Sequence, residues 1–499
     1  ALFSSPASDL MPLLEWFAVH WVAAILLLIY VAVLMYNALL GQRASDSISG
    51  YYLGGRRLGG FTIGVSFFAT FASTNSYIGH AGKGYEYGLP WLVMAFSLVL
   101  FTYISWRWIG PRTRRMAAIF DALTLPDYLA GRFLGAADRE RHPLRISSGV
   151  VIVFCSVLYL IAIFKGAGHL FALFFDISYE AAVMLALVIV MIYTSVGGFV
   201  SVVRTDVIQG GLMVVGAAML FYFVTQAAGG VTSIGGLAKQ PDRAFLFDWN
   251  GGIPFVVLLG VALSGSLKLI VDPRQLSRFY ALQDERAVKQ GLWVAVIGLA
   301  IVQACLYPIG VYAHLLLDGV SDTDLIVPTL LNDASIFPFW AADFLFVAIV
   351  AAAMSSIDSV LLVAASTGYK NVLAPYCSVA RPLLWTRVAV VVLALISAIA
   401  ALEPPGDILQ ITIFSGSLYA ACFFPAVVLG LYWAKGHALA VMSSMLTGTM
   451  TLLLWLAFNL SATVHEVFPA LAVSMLAYIL FSHRHDSSSQ PLNRLSPDR

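Results

Sequence analysis

Thirteen apolar stretches, most of them long enough to cross a bilayer as helices, divide this chain of 499 residues. They lie at roughly 16–40, 61–82, 88–109, 147–174, 179–195, 206–227, 253–271, 290–315, 339–367, 383–401, 407–433, 437–458 and 466–482. In hydrocarbon, backbone N–H and C=O groups must be satisfied within their own segment, so such runs fold as helices. The charged fraction is 11%, under half of the ~25% usual for soluble domains. With a net charge of +1 the chain offers no basic surface, and nucleic-acid binding is excluded. Cys155, Cys305, Cys377 and Cys422 have no paired spacing, so neither a disulfide framework nor a zinc site is indicated. No P-loop and no nucleophile–base arrangement is present, so an enzyme or an ATP-driven pump is not expected.

Lysine and arginine are concentrated on alternate loops. One set holds Arg56 and Arg57, then Arg112, Arg114 and Arg115, then Arg274, Arg278 and Arg286; the other set holds little beyond Lys83, Lys239 and Arg243. By the positive-inside rule this predicts an outer N-terminus and a cytoplasmic C-terminus in a plasma membrane, the bacterial inner membrane. Residues 1–482 read as one transmembrane domain, and 483–499, rich in Ser and Pro, as a disordered cytoplasmic tail. No cleavable signal peptide is expected, because the first apolar segment is long and lacks a basic leader.

Within the stretch 339–367, Ala351-Ala352-Ala353-Met354-Ser355-Ser356-Ile357-Asp358-Ser359 places a carboxylate and three hydroxyls in an apolar helix. Ala352, Ser355, Ser356 and Ser359 share one helical face, with Asp358 on its flank. Oxygens gathered in this way suit a small hard cation, although serines alone also serve helix packing. A second anomaly lies at 61–82, where Thr70 to Ser76 is a poor mid-membrane helix because Ser, Thr and Asn compete for backbone bonds. Transporters use such breaks to expose carbonyls to ions. The stretch 253–271 carries Gly260 and Ser264-Gly265-Ser266. A matching interruption there, five spans later and in the opposite orientation, would make an inverted repeat.

These residues resemble the sodium/solute symporter family. The likeness rests on Phe68 to Ser73 with Gly84-Tyr85-Glu86-Tyr87-Gly88, on Tyr193-Thr194-Ser195-Val196-Gly197-Gly198-Phe199 followed by Thr205 to Gln209, on Asp272-Pro273-Arg274-Gln275-Leu276-Ser277-Arg278-Phe279, and on Ala352 to Ser359. The resemblance implies an all-α, leucine-transporter-like fold of two inverted five-helix repeats, at about 61–227 and 253–433, with one helix before them and two after. It implies secondary active import of a small solute driven by sodium, with the bilayer and the solute as partners and a monomer as the working unit. It also implies a sodium site made by the carbonyls of Ala69, Ala72 and Ala352 and the hydroxyls of Ser355 and Ser356. A second cation or proton site would join Asp206, Ser359 and, departing from the family pattern, Asp358. Proton coupling therefore stays open, as does a helix-cap role for Asp206 beside Thr205. Symporter-like modules fused to signalling proteins are the other alternative.

For substrate, the same geometry points to Ser73, Asn75 and Ser76 on the first core helix, Gly265 on the sixth, and Ser415, Ser417 and Tyr419 on the tenth. Lys165, deep in the stretch 147–174, is expected to face the cavity and attract a carboxylate-bearing solute such as a monocarboxylate, an amino acid or pantothenate. Snorkelling or an internal carboxylate partner are the other outcomes for that lysine.

Overall fold

A computed structural model describes residues 20–43, 47–135, 141–377 and 381–484, without the side chains of 192–196 and of Arg43 and Arg484. The predicted tail beyond Arg484 and the start of the first span lie outside the described residues. The helices used below are α1 (Trp21–Arg43), α2 (Gly60–Phe71), α3 (His80–Tyr87), α4 (Leu92–Ile104), α5 (Leu125–Phe133), α6 (Pro143–Phe175), α7 (Tyr179–Ala227) and α8 (Phe255–Val271). They continue as α9 (Pro273–Ala281), α10 (Glu285–Leu306), α11 (Ile326–Leu331), α12 (Phe339–Thr367), α13 (Pro382–Ala400), α14 (Ile408–Phe424), α15 (Ala438–Ala457) and α16 (Val467–Arg484). Ten helical runs among the described residues are long and apolar enough to span a membrane. Three shorter apolar helices, Gly60–Phe71, Tyr179–Met191 and Val467–His483, fall on the remaining predicted stretches.

The first core helix breaks where its sequence argues for it. α2 stops at Phe71, Ala72 is extended (φ −75°, ψ 107°), and the chain resumes through a π-helical turn, Asn75–Gly79, into α3. Ser73 makes the break locally self-consistent, since its Oγ accepts the Asn75 N–H at 3.1 Å.

The second break differs from expectation. α8 runs unbroken through Gly260 and Ser264–Ser266, and the interruption comes at Asp272 (φ −63°, ψ 125°). Pro273 explains the position: its ring disfavours helical backbone in the preceding residue and it has no N–H to give. The Asp272 carboxylate then caps α9 by accepting the Arg274 N–H at 2.9 Å. Consequently Asp272–Phe279 is not part of a solvated charged loop. Every residue of α9 is buried, which carries Arg274 and Arg278 into the protein.

The predicted stretches 179–195 and 206–227 fall on the two halves of α7, which are separate helices joined at a kink at Gly198, whose φ of +63° favours glycine. α12 stands at the centre, with its apolar window wholly buried among α7, α6, α1 and α13. α2 packs against α10 so closely that a Cβ on Gly60 would stand 2.1 Å from the Ala287 carbonyl oxygen. α8 lies between α4 and α14.

Candidate functional site

The break in α2 faces the serines of α12. Ser355 Oγ donates to the Ala69 carbonyl at 3.0 Å and lies 3.0 Å from the carbonyl of Ala352. Ala69, Ala352 and Ser355 are fully buried, so three neutral oxygens converge in the interior beside a helix end. Ser356 Oγ reaches the Thr70 carbonyl, at 2.9 Å, one residue further along α2 than Ala69. Ala72 supplies the extended backbone of the break itself. The donor set, carbonyl and hydroxyl oxygens without a fixed charge among them, fits a weakly held monovalent cation. The site would release that cation on each cycle.

The proposed second cation site has a different occupant. Asp206 accepts from Ser66 Oγ at 2.5 Å and from Thr70 Oγ1 at 3.3 Å, and it pairs with Arg278 Nη2 at 3.3 Å. The same Nη2 donates to Ser359 Oγ at 2.6 Å and to Thr70 Oγ1 at 2.7 Å. A guanidinium therefore bridges Asp206 and Ser359, the two positions expected to share a cation or proton. The sequence reading missed this because it placed Arg278 in a loop. Asp206 is also no helix cap, since it sits inside α7 and Thr205 Oγ1 bonds back to the Ser201 carbonyl at 2.8 Å. Asp358 is buried on α12.

Lys165 already has a carboxylate partner inside the protein. Its Nζ pairs with Asp324 Oδ2 at 2.7 Å and lies 3.3 Å from the Gly406 carbonyl. The same Asp324 oxygen accepts the Ile408 N–H at 3.2 Å, at the start of α14. The lysine charge thus ties α6 to the turn before α11 and to α14, the internal pairing that was the other outcome for a buried lysine.

The remaining substrate candidates divide between two roles. Gly265 serves packing, since a Cβ there would stand 2.1 Å from Met94 Cε. Ser415 Oγ bonds back to the Thr412 carbonyl, Ser417 Oγ reaches Ser264 Oγ at 3.0 Å and Glu466 Oε1 at 3.2 Å, and Tyr419 OH lies 3.4 Å from the Ile152 carbonyl. Ser417 and Tyr419 hold α14 to its neighbours, while Ser415 bonds within α14. At the break, Ser73 Oγ is 3.2 Å from Tyr159 OH. Asn75 Oδ1 and Ser76 Oγ have no protein hydrogen-bond partner among the described residues, so these atoms remain available to a solute.

A buried lysine that sequence reasoning passed over lies on α8. Lys268 is 3% exposed, donates to the Thr412 carbonyl at 2.8 Å and stands 4.6 Å from the centroid of the Tyr159 ring. Its signal was the same as that of Asp358: one charge inside an apolar run.

Where the charge pattern predicts the cytoplasmic side, Asp127 of α5 gathers three elements. It accepts from Arg145 Nη2 at 2.8 Å, Asn371 Nδ2 at 2.8 Å and Lys370 Nζ at 2.5 Å. Burial would push its carboxyl upward, but the charges of Lys370 and Arg145 outweigh that and hold it below the ordinary carboxylate range.

Residues 51–448 match the profile of the sodium:solute symporter family. The chain is 26% identical over 455 residues to the sodium/pantothenate symporter of Haemophilus influenzae, covering 89% of this chain and 92% of that protein. It is 29% identical over 470 residues to the osmoregulated proline transporter OpuE of Bacillus subtilis, covering 91% and 92%. Its backbone matches a Na+-coupled sialic acid symporter with a TM-score of 0.76 at 19% identity, over 94% of this chain and 99% of that one. The fold is leucine-transporter-like, as expected. By family and by relatives the protein is a sodium-coupled transporter and not an enzyme, and the chain belongs to the sodium:solute symporter family.

Proposed function

We propose that the protein imports a small carboxylate-bearing solute by alternating access, driven by one sodium ion moving inward per cycle. It would act as a monomer in a bacterial inner membrane, with its N-terminus outside and its C-terminus in the cytoplasm. The observation that carries this reading is the convergence of the Ala69 and Ala352 carbonyls on Ser355 Oγ beside the break in α2. A cation there bridges two helices, so its binding energy couples to their relative position, and its loss favours their separation. Solute would bind next to it, at Ser73, Asn75 and Ser76. A single sodium is favoured because Arg278 already places a fixed positive charge between Asp206 and Ser359. Like charges would make a second cation there unfavourable.

Reconstitution into proteoliposomes tests the proposal. An inward sodium gradient should drive solute accumulation, and neither a potassium gradient nor a proton gradient alone should do so. The ratio of initial sodium influx to initial solute influx should give one sodium per solute. Equal accumulation with potassium replacing sodium would refute the coupling, and a flux ratio of two sodium ions per solute would refute the role given to Arg278.

A further inference from the structure

The sodium site and the break leave Lys268 without a use. It lies on the face of α8 turned toward α14, one helical turn from Ser264. Ser264 Oγ donates to the Ile413 carbonyl at 2.7 Å and Lys268 Nζ to the adjacent Thr412 carbonyl at 2.8 Å. Below the ammonium, at 4.6 Å, is the ring of Tyr159 from α6, and the hydroxyl of that tyrosine is 3.2 Å from Ser73 at the break in α2. Four core helices thus meet around the lysine and the polar atoms offered at the break.

Charge bookkeeping then points one way. Arg274 Cζ sits 4.1 Å from the centroid of the same Tyr159 ring, so two cations flank one aromatic side chain. The carboxylate of Asp272 is held by Arg274, whose Nη2 and Nε donate to Oδ2 at 2.5 and 3.0 Å. Among the described residues Lys268 is hydrogen-bonded to a neutral carbonyl and lies over an aromatic face, and the carboxylate that acts on its charge, Asp272, is the one Arg274 already holds. Buried ammonium groups are normally balanced by an anion, because a bare charge in a low-dielectric interior is strongly unfavourable. Lys165 has such a balance in Asp324, and Arg278 has it in Asp206. Lys268 does not.

We infer that Lys268 is the specificity-determining anchor of the solute, accepting its carboxylate as the missing counter-charge, with Tyr159 and Ser73 placing the rest of the molecule against the break. This rests on the symport reading above and moves the recognition of the anion from Lys165 to Lys268.

The test uses sodium-driven uptake by the reconstituted full chain. Acetate, pyruvate, L-proline and pantothenate, each beside its primary amide, serve as substrates and competitors. The wild-type protein should discriminate each accepted carboxylate from its amide by about 10–100-fold, the range of one charge-assisted hydrogen bond. Lys268→Gln should raise the KM for the carboxylate by about the same factor and leave the KM for the amide unchanged, and Lys268→Arg should recover part of the loss. A residue that merely holds α8 to α14 would alter both members of a pair equally, and that result would overturn the inference. Should Lys268→Gln not fold, the wild-type comparison still decides: equal acceptance of acid and amide, or sodium-driven uptake of neutral solutes alone, removes the anchor and leaves symport standing. Absence of sodium-driven uptake throughout the panel would remove the symport reading, and the anchor with it.

Discussion

Replacing Arg278 with methionine should destabilise this protein by about 3–5 kcal/mol, the range for removing one partner of a buried ion pair. Asp206 and Arg278 are each 1% exposed at the side chain and 3.3 Å apart. At an effective dielectric of about 20 the attraction at that distance is ~5 kcal/mol, which agrees with the upper end. Most of the loss should come from the stranded carboxylate. Of the guanidinium's other acceptors, Thr70 and Ser359 are already 3.1 Å from one another and can bond together when it leaves, Ser66 still donates to Asp206, and the Arg274 carbonyl still accepts from Ser277. Two consequences separate this reasoning from simple loss of packing. Adding Asp206→Asn to Arg278→Met should recover stability, giving a coupling of about 2–3 kcal/mol in a double-mutant cycle. Sodium chloride should also stabilise Arg278→Met more than wild type, because Asp206, Thr70 and Ser359 then offer oxygens to a cation. The measurement is chemical denaturation in detergent micelles followed by tryptophan fluorescence. A double variant less stable than Arg278→Met alone, with no sodium effect, would show that the guanidinium does not stand in for a cation.

Ser355→Ala removes one of three converging oxygens and should raise the sodium concentration for half-maximal uptake by about 10-fold, with the solute preference unchanged; uptake assayed against sodium concentration reads this directly. Lys165→Met strands Asp324 and should cost about 3–5 kcal/mol in the same denaturation assay, with recovery in Lys165→Met/Asp324→Asn, and acid-over-amide discrimination in uptake should survive in any folded variant. Asp127 has a folded pKa below its unfolded value, so its stabilisation is fully present above the unfolded value of about 4 and is lost as pH falls through the folded one. Denaturation midpoints across that acid window should fall for wild type and stay flatter for Asp127→Asn, which should be the less stable of the two at neutral pH.

Much of the fold was legible because it depends on neighbours in the chain. Apolar length located the helices, and the competing hydroxyls of Thr70 to Ser76 marked the first break to within a few residues. Ser355 and Ala352 are three residues apart on one helix, so their shared carbonyl contact followed from helical geometry once α12 was recognised. The second break was misplaced at Ser264–Ser266 because glycine and serine weaken a helix without ending it. The proline after Asp272 does end it. That one difference turned Asp272–Phe279 from a solvated loop into buried helix and hid Arg278 from view.

What remained depended on which charges meet across space. Lys165 and Asp324 are 159 positions apart, and Arg278 stands 72 from Asp206 and 81 from Ser359. No local pattern connects them. Apolar length and competing hydroxyls were enough to establish that this chain is a bundle of membrane helices with a broken first core helix and a hydroxyl-lined partner. Helix packing alone decided the fate of each buried charge, setting a carboxylate beside Lys165 and a guanidinium between Asp206 and Ser359, and leaving Lys268 facing a carbonyl and an aromatic ring. The physical reason is that hydrophobicity and backbone propensity act over a few residues along the chain. In a low-dielectric interior, the energy of a charge is set by whatever the fold brings within a few ångströms of it.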